Sequence, residues 1–160
     1  MSFRRELTIN SVTWVVVAES ARATVFCTEW PGAAQFETVE NLFHPEGESL
    51  PSEILTDRPG RFAGPMRHAV GDTIDFRHQT NSEFAIQIAD FLERGRTNNE
   101  FGRIVLVAPP MVLGAIRERL SAPLAKLVAC ELGKDYMHLP EKELEAKLHE
   151  YLSEQAAATT

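Results

Sequence analysis

Apolar residues are concentrated in short runs near the start of the chain, and the spacing within each run predicts a β-strand. Residues 13–18, TWVVVA, are almost continuously apolar and β-branched, as in a strand that is buried on both faces. Residues 21–29 and 35–43 instead alternate between the two faces, which is typical of strands with one buried side. Because only Glu19 and Ser20 separate the first two runs, we expect a β-hairpin followed by a third antiparallel strand.

The second half of the chain alternates between helical and strand-like patterns. A TNSE capping box at Thr80 precedes an apolar stripe of i, i+4, i+7 spacing and predicts a helix over residues 80–94. Four further elements are expected, in the order strand, helix, strand, helix, over residues 103–108, 110–120, 126–132 and from Pro140 onwards. The order β-β-β-α-β-α-β-α predicts an α/β fold of ribonuclease H-like topology, with a mixed sheet and helices on its faces.

Residues 44–80 form a long connection with little periodicity and several glycines and prolines. A connection of this length inside a compact domain is usually functional or disordered. We therefore expect one domain over residues 13–153, with an N-terminal extension at 1–12, a frayed tail at 154–160 and a long Arg/Gly/Pro loop after the third strand.

The segment TDRPGRFAGPMRHA within this loop is the main candidate site, because no carboxylate follows its single aspartate. Guanidinium groups bind phosphate or carboxylate through charge-assisted hydrogen bonds, and glycine allows the backbone to approach a ligand. The segment is therefore predicted to bind an anion, with RNA as one candidate. The alternative is that its arginines pair with carboxylates such as Glu53 or Asp72 and only pin the loop. The candidate ligand-binding residues are Asp57, Arg58, Gly60, Arg61, Arg67 and His68.

A second candidate site lies where the fourth strand is expected to pass into a helix, at Pro109 and Pro110. Ligands of open α/β sheets bind at this edge, and the free N–H groups of a helix start favour an anion. Proline has no N–H to donate, so a rigid strand-to-helix corner is the alternative. The absence of an acidic residue here argues against a two-metal nuclease.

Composition and the remaining motifs argue against several classes of function. A net charge of −7 and a pI near 5.2 argue against nonspecific coating of nucleic acid, and no DNA partner is expected. The sequence has no metal-ligand spacing, nucleophile elbow, Walker loop or G-x-G-x-x-G motif. We therefore expect no metal and no cofactor, and an enzyme is the less favoured class.

The cysteines and the apolar runs bear on the compartment. Cys27 and Cys130 stand singly in apolar surroundings and are predicted to be buried free thiols, which suits a reducing cytosol. The first ten residues lack the apolar core of a signal peptide, and WVVVA is too short to span a bilayer. We expect a cytoplasmic protein without membrane insertion.

Several motifs occur together in one order: WVVVAESARATVF, LTDRPGRF, RHA, LVAPPMVLGAIRERL and GKDYMHLP. Together they resemble the bacterial host-attachment protein family, over about Trp14 to Leu152. The hairpin is also distantly similar to the middle domain of eukaryotic-type peptide release factors, with Glu19, Ala21 and Arg22 in the matching places. The chain has no Gly-Gly-Gln, so the resemblance implies RNA or ribosome contact without hydrolysis. It adds Glu19 and Arg22 to the second candidate site.

Three functions follow from these observations. The favoured hypothesis is a non-catalytic cytosolic binding protein whose arginine-rich loop meets an anionic partner, RNA or a ribosome. The second is a protein-interaction module, with a protein partner or as a homo-oligomer, that acts in attachment to host cells. The third is a small hydrolase that uses His68 with a nearby acid.

Overall fold

The computed structural model describes residues 11–30, 35–44 and 66–159, and in residues 66–78 and 159 it describes the backbone alone. The elements in these ranges are, in chain order, β1 (Val12–Ala18), β2 (Arg22–Glu29), β3 (Glu37–Phe43), α1 (Met66–Thr97), β4 (Arg103–Val107), α2 (Pro110–Arg119), α3 (Ala122–Leu127), β5 (Val128–Leu132) and α4 (Glu141–Thr159). The predicted order of elements is confirmed, with α3 as an addition.

The strands form one mixed sheet in the order β3-β2-β1-β4-β5. β1 is antiparallel to β2 and parallel to β4, while β2 and β3 are antiparallel and β4 and β5 parallel. All seven residues of β1 are buried, because this strand has a partner on each side and helices on both faces. The predicted α/β fold of ribonuclease H-like topology is therefore confirmed.

Alternate side chains of β1 enter two separate cores. Trp14 and Val16 lie on what we call the α1 face, whereas Val15 and Val17 lie on the α4 face. The α1 face is covered by apolar side chains of α1, α2 and α3, namely Phe84, Ile88, Leu92, Val112, Ile116 and Leu124. The α4 face is covered by Leu144, Leu148 and Leu152. Full burial of each such side chain contributes about 1.5–3 kcal/mol.

Helix α1 is longer than the sequence pattern predicted. It begins at Met66, so the TNSE segment lies inside the helix and the capping-box interpretation is wrong. Thr80 is buried one turn before Phe84, within the side that packs on the sheet. No proline follows Pro65 as far as Thr97, so nothing in the backbone stops the helix. The weak apolar periodicity of residues 66–79 is the reason that this part was expected to be loop.

The fifth strand is shorter than predicted, because Lys126 and Leu127 end the short helix α3. The Ser121 side chain caps α3 by accepting a hydrogen bond from the Leu124 N–H at 3.3 Å, and proline occupies the first turn. The Ser-Ala-Pro sequence at residues 121–123 is a local signal for the start of this helix. At the other end of the chain, α4 continues to Thr159, beyond the expected domain boundary at residue 153.

Strand β5 and helix α4 meet at the second cysteine. Cys27 is buried as predicted, but Cys130 is only partly buried. The Tyr151 hydroxyl donates a hydrogen bond to the Glu131 carbonyl oxygen at 3.1 Å. Burial, together with the neighbouring Cys130 thiol, raises the pKa of Tyr151 to about 12, and burial also raises the pKa of the Cys130 thiol.

We expect the protein to lose stability as the pH rises from about 10 to about 12. In that window the unfolded chain loses the Tyr151 proton while the folded chain keeps it, so the free energy of unfolding falls with pH. Thermal unfolding midpoints across this range should decline less steeply in Tyr151→Phe than in the unaltered protein. A tyrosinate absorbance titration of both proteins isolates the ionisation of Tyr151. Identical pH dependence of the midpoints would contradict the expectation.

Candidate functional site at the carboxyl edge of the sheet

Strands β1 and β4 are parallel neighbours and therefore end at the same edge of the sheet, where Val17 pairs with Val107. The chain leaves β1 towards β2 on one side and leaves β4 towards β5 on the other. In open α/β sheets, the crevice outside the carboxyl ends of such diverging strands is the usual place for a ligand. We call the residues that follow these two strands, 19–22 and 108–111, the carboxyl edge.

The turn between β1 and β2 places an ion pair at the carboxyl edge. Glu19 donates its backbone N–H to the Arg22 carbonyl oxygen at 2.8 Å, which closes the turn. The Arg22 Nε donates to Glu19 Oε2 at 2.6 Å, and these side chains are 44% and 28% exposed, respectively. An exposed pair of this kind contributes only about 0–1 kcal/mol to stability. Its larger effect is to hold a guanidinium group at the edge of the sheet.

The start of α2 forms the other half of the carboxyl edge. Pro109 precedes the helix with extended backbone angles, and Pro110 occupies the first turn, as the predicted rigid corner requires. No side chain caps this end, and the Leu113 N–H bonds the Pro109 carbonyl oxygen at 2.8 Å. The N–H group of Met111 therefore lies at an uncapped helix start, where an anion is favoured. The structure thus contains the strand-to-helix corner, and anion binding at this helix start stays a prediction.

The arginine-rich segment is placed only in part. Asp57, Arg58, Gly60 and Arg61 lie outside the described residues. The backbone of Arg67 and His68 belongs to the first turn of α1, so the expectation that these two residues lie in a loop is wrong. Their side chains are outside the description, so the proposed pairing of His68 with an acid stays a prediction.

His44, the first residue of the long connection over residues 44–80, contacts the carboxyl edge. Its backbone N–H donates to the Ala21 carbonyl oxygen at 2.7 Å, beside the Glu19–Arg22 turn. Its ring stacks on Phe84, with centroids 5.7 Å apart, and its Nε2 lies 3.5 Å from Glu83 Oε1. Sequence reasoning missed this contact, because nothing local distinguishes His44 from the other histidines. The long connection therefore begins next to the second candidate site.

Two further features are absent from the described part of the chain. Within residues 11–30, 35–44 and 66–159, no group of three or more His, Cys, Asp or Glu side chains is arranged to hold a metal ion. No helix in the same ranges combines the length and apolar character that crossing a membrane requires.

Comparisons with known proteins identify the family. No curated protein matches the chain. An archaeal translation termination factor superimposes with a TM-score of 0.47 at 12% identity, over 94% of this chain and 39% of that one. A second archaeal protein gives a TM-score of 0.43 at 16% identity, over 89% of this chain and 37% of the other. The chain thus spans less than half the length of either, and neither similarity carries information on function.

A family model of proteins required for attachment to host cells matches residues 14–148. The matched range contains the whole of the carboxyl edge, all of α1, α2 and α3, and the first turns of α4. The resemblance predicted from the sequence motifs is confirmed, and the chain belongs to the host-attachment protein family.

Proposed function

We propose that this member of the family is a cytoplasmic binding protein that receives an anionic partner, RNA or the RNA of a ribosome, at the carboxyl edge. The observation that carries the proposal is the convergence of three parts of the chain at this edge. The Glu19–Arg22 turn and the Pro109–Pro110 corner lie at the ends of neighbouring parallel strands. His44, the first residue of the long connection over residues 44–80, is bonded to Ala21 in the same turn.

Electrostatics explains why such a site needs local positive charge. The chain carries a net charge of −7, so an anionic ligand is repelled by most of the surface. The uncapped start of α2 offsets part of this repulsion at the carboxyl edge, where Glu19 balances the charge of Arg22. Arg58, Arg61 and Arg67 are proposed to supply the remaining positive charge, and each contact with a phosphate adds a salt-dependent contribution.

The test replaces Arg58, Arg61 and Arg67 with alanine together and measures fluorescence anisotropy of a labelled single-stranded RNA of about 12 nucleotides. We expect the affinity to fall at least about tenfold and the slope of log affinity against log salt to flatten by about two, between roughly 50 and 200 mM salt. The matched control replaces three exposed lysines of α3 and α4, which changes the net charge equally: Lys126, Lys142 and Lys147.

The control separates a local site from a general charge effect. Equal loss in the lysine variant would mean that overall charge, rather than the arginine-rich segment, governs binding. Normal RNA binding by the arginine variant, or no binding by the unaltered protein, would contradict the proposal. Sedimentation of cell lysate gives an independent check, since salt-sensitive migration with ribosomal particles is expected. Recovery at the cell surface would contradict the cytoplasmic location and favour a direct role in attachment.

A further inference from the structure

The hairpin of β2 and β3 presents four side chains on the α4 face. In the pairing register Arg22 lies opposite Phe43, and Thr24 lies opposite Asn41 and next to Val17 of the α4 face. Cross-strand partners point to the same side of a sheet. The buried cluster under α4 includes Phe26 of β2, and Phe36, just before β3, packs against it. Among the described residues, this cluster contains none of the four positions. We call them the hairpin patch: Arg22, Thr24, Asn41 and Phe43.

The hairpin patch contains an aromatic ring in contact with solvent. Phe43 is 50% exposed, and it is the only aromatic residue among the exposed large apolar side chains of the described ranges. Its backbone is fixed, because its carbonyl oxygen accepts a hydrogen bond from Gln87 of α1 and the following N–H bonds Ala21. The backbone that carries the ring is therefore held by the sheet and by α1.

Polar groups beside the ring are oriented and available to a ligand. The Thr24 hydroxyl donates to Asn41 Oδ1 at 2.8 Å, which assigns the orientation of the amide. Asn41 is exposed, and its Nδ2 has no hydrogen-bond partner within the residues that the structure describes. Two N–H donors therefore lie next to the Phe43 ring, at a position where a planar ligand with hydrogen-bond acceptors can reach them.

The carboxylates nearest the hairpin patch are engaged with neighbouring groups. Glu37 pairs with Cys27, whose side chain lies in the core of the α1 face, so Glu37 lies on the other side of the sheet. Glu40 Oε1 accepts a hydrogen bond from the Asn41 backbone N–H at 3.0 Å. In the turn, Glu19 is paired with Arg22 at 2.6 Å. Glu19 and Glu40 are thus each held in an ion pair or a hydrogen bond.

We infer that the hairpin patch binds an unpaired nucleobase of an RNA strand. The base stacks on Phe43, and its acceptor atoms receive hydrogen bonds from the Asn41 amide. An apolar protein partner fits less well, because it would bury the Asn41 donors without acceptors. This inference rests on the proposed function, since it names the part of the RNA that is bound beside the carboxyl edge.

The test compares a single-stranded RNA of about 12 nucleotides with an abasic strand that has the same number of phosphates. We expect the unaltered protein to bind the RNA on the order of tenfold more tightly than the abasic strand. Phe43→Ala should lose this preference, and Phe43→Trp should keep it because the indole offers a larger stacking face. Ile86→Ala is the matched control, since Ile86 is an exposed apolar residue of α1 that lies outside the patch.

The outcomes separate this inference from the proposed function. Equal affinity of the unaltered protein for the two strands would leave anion binding intact and overturn base stacking. Binding of neither strand would overturn both. Loss of the preference in Phe43→Trp, or in the Ile86→Ala control, would also overturn stacking on Phe43. Displacement of the RNA by AMP at comparable concentration would assign the patch to a free nucleotide and overturn the RNA strand as occupant.

Discussion

Replacing Leu148 with alanine is expected to destabilise the protein by about 3 kcal/mol. Leu148 lies in α4 and is completely buried against the strands of the α4 face, where Val15 and Val17 share its cluster. Removing three carbon atoms there forfeits their transfer free energy and leaves a cavity that the rigid sheet cannot close. Urea denaturation of the variant should show the loss as a lower midpoint with an unchanged slope.

The neighbouring residue supplies the control for this substitution. His149 occurs in the same helix turn but is exposed, so His149→Ala should change the free energy of unfolding by no more than about 0.5 kcal/mol. A loss of less than 1 kcal/mol in Leu148→Ala would contradict the packing of α4 on this face.

Replacing Gly95 with alanine is expected to destabilise the protein by about 2 kcal/mol, although alanine is the better helix former. A Cβ atom at Gly95 would lie 2.7 Å from two ring atoms of Trp14 and 2.9 Å from Phe101. Trp14 cannot yield easily, because its ring is stacked on Phe91 at 5.5 Å and packed on Phe101 at 4.5 Å. The clash therefore outweighs the gain of about 1 kcal/mol in helix propensity.

Gly114→Ala in α2 is the matched substitution, and here the free energy of unfolding is expected to rise instead of fall. A Cβ atom there meets nothing within 4 Å, so Gly114→Ala should stabilise the protein by about 0.5–1 kcal/mol through helix propensity alone. Both variants are compared by thermal and urea unfolding. Stabilisation by Gly95→Ala would show that the end of α1 is not packed closely on Trp14.

Local sequence patterns were sufficient to place the first four strands and to assign the faces of β1 and β2, but β3 is almost wholly exposed and has no buried side. The uninterrupted apolar run of β1 predicted burial on both sides, and the alternation in β2 correctly separated Val25 from Phe26. Local patterns did not predict the beginning of α1, because residues 66–79 form a helix but have no apolar stripe in their sequence. Tertiary packing stabilises a helix more than its own propensity does, so the boundary is not encoded locally.

Short motifs, local spacing and the restricted backbone of proline were enough to predict the family, the order of strands and helices, and the proline corner after β4. Tertiary packing brings Glu19 and Pro109 to one edge, stacks His44 on Phe84 and places Phe43 opposite Arg22. These contacts join segments that are far apart in the chain. Their register is set by burial of the whole sheet between its helices, and a shift of one residue would turn every side chain to the other face.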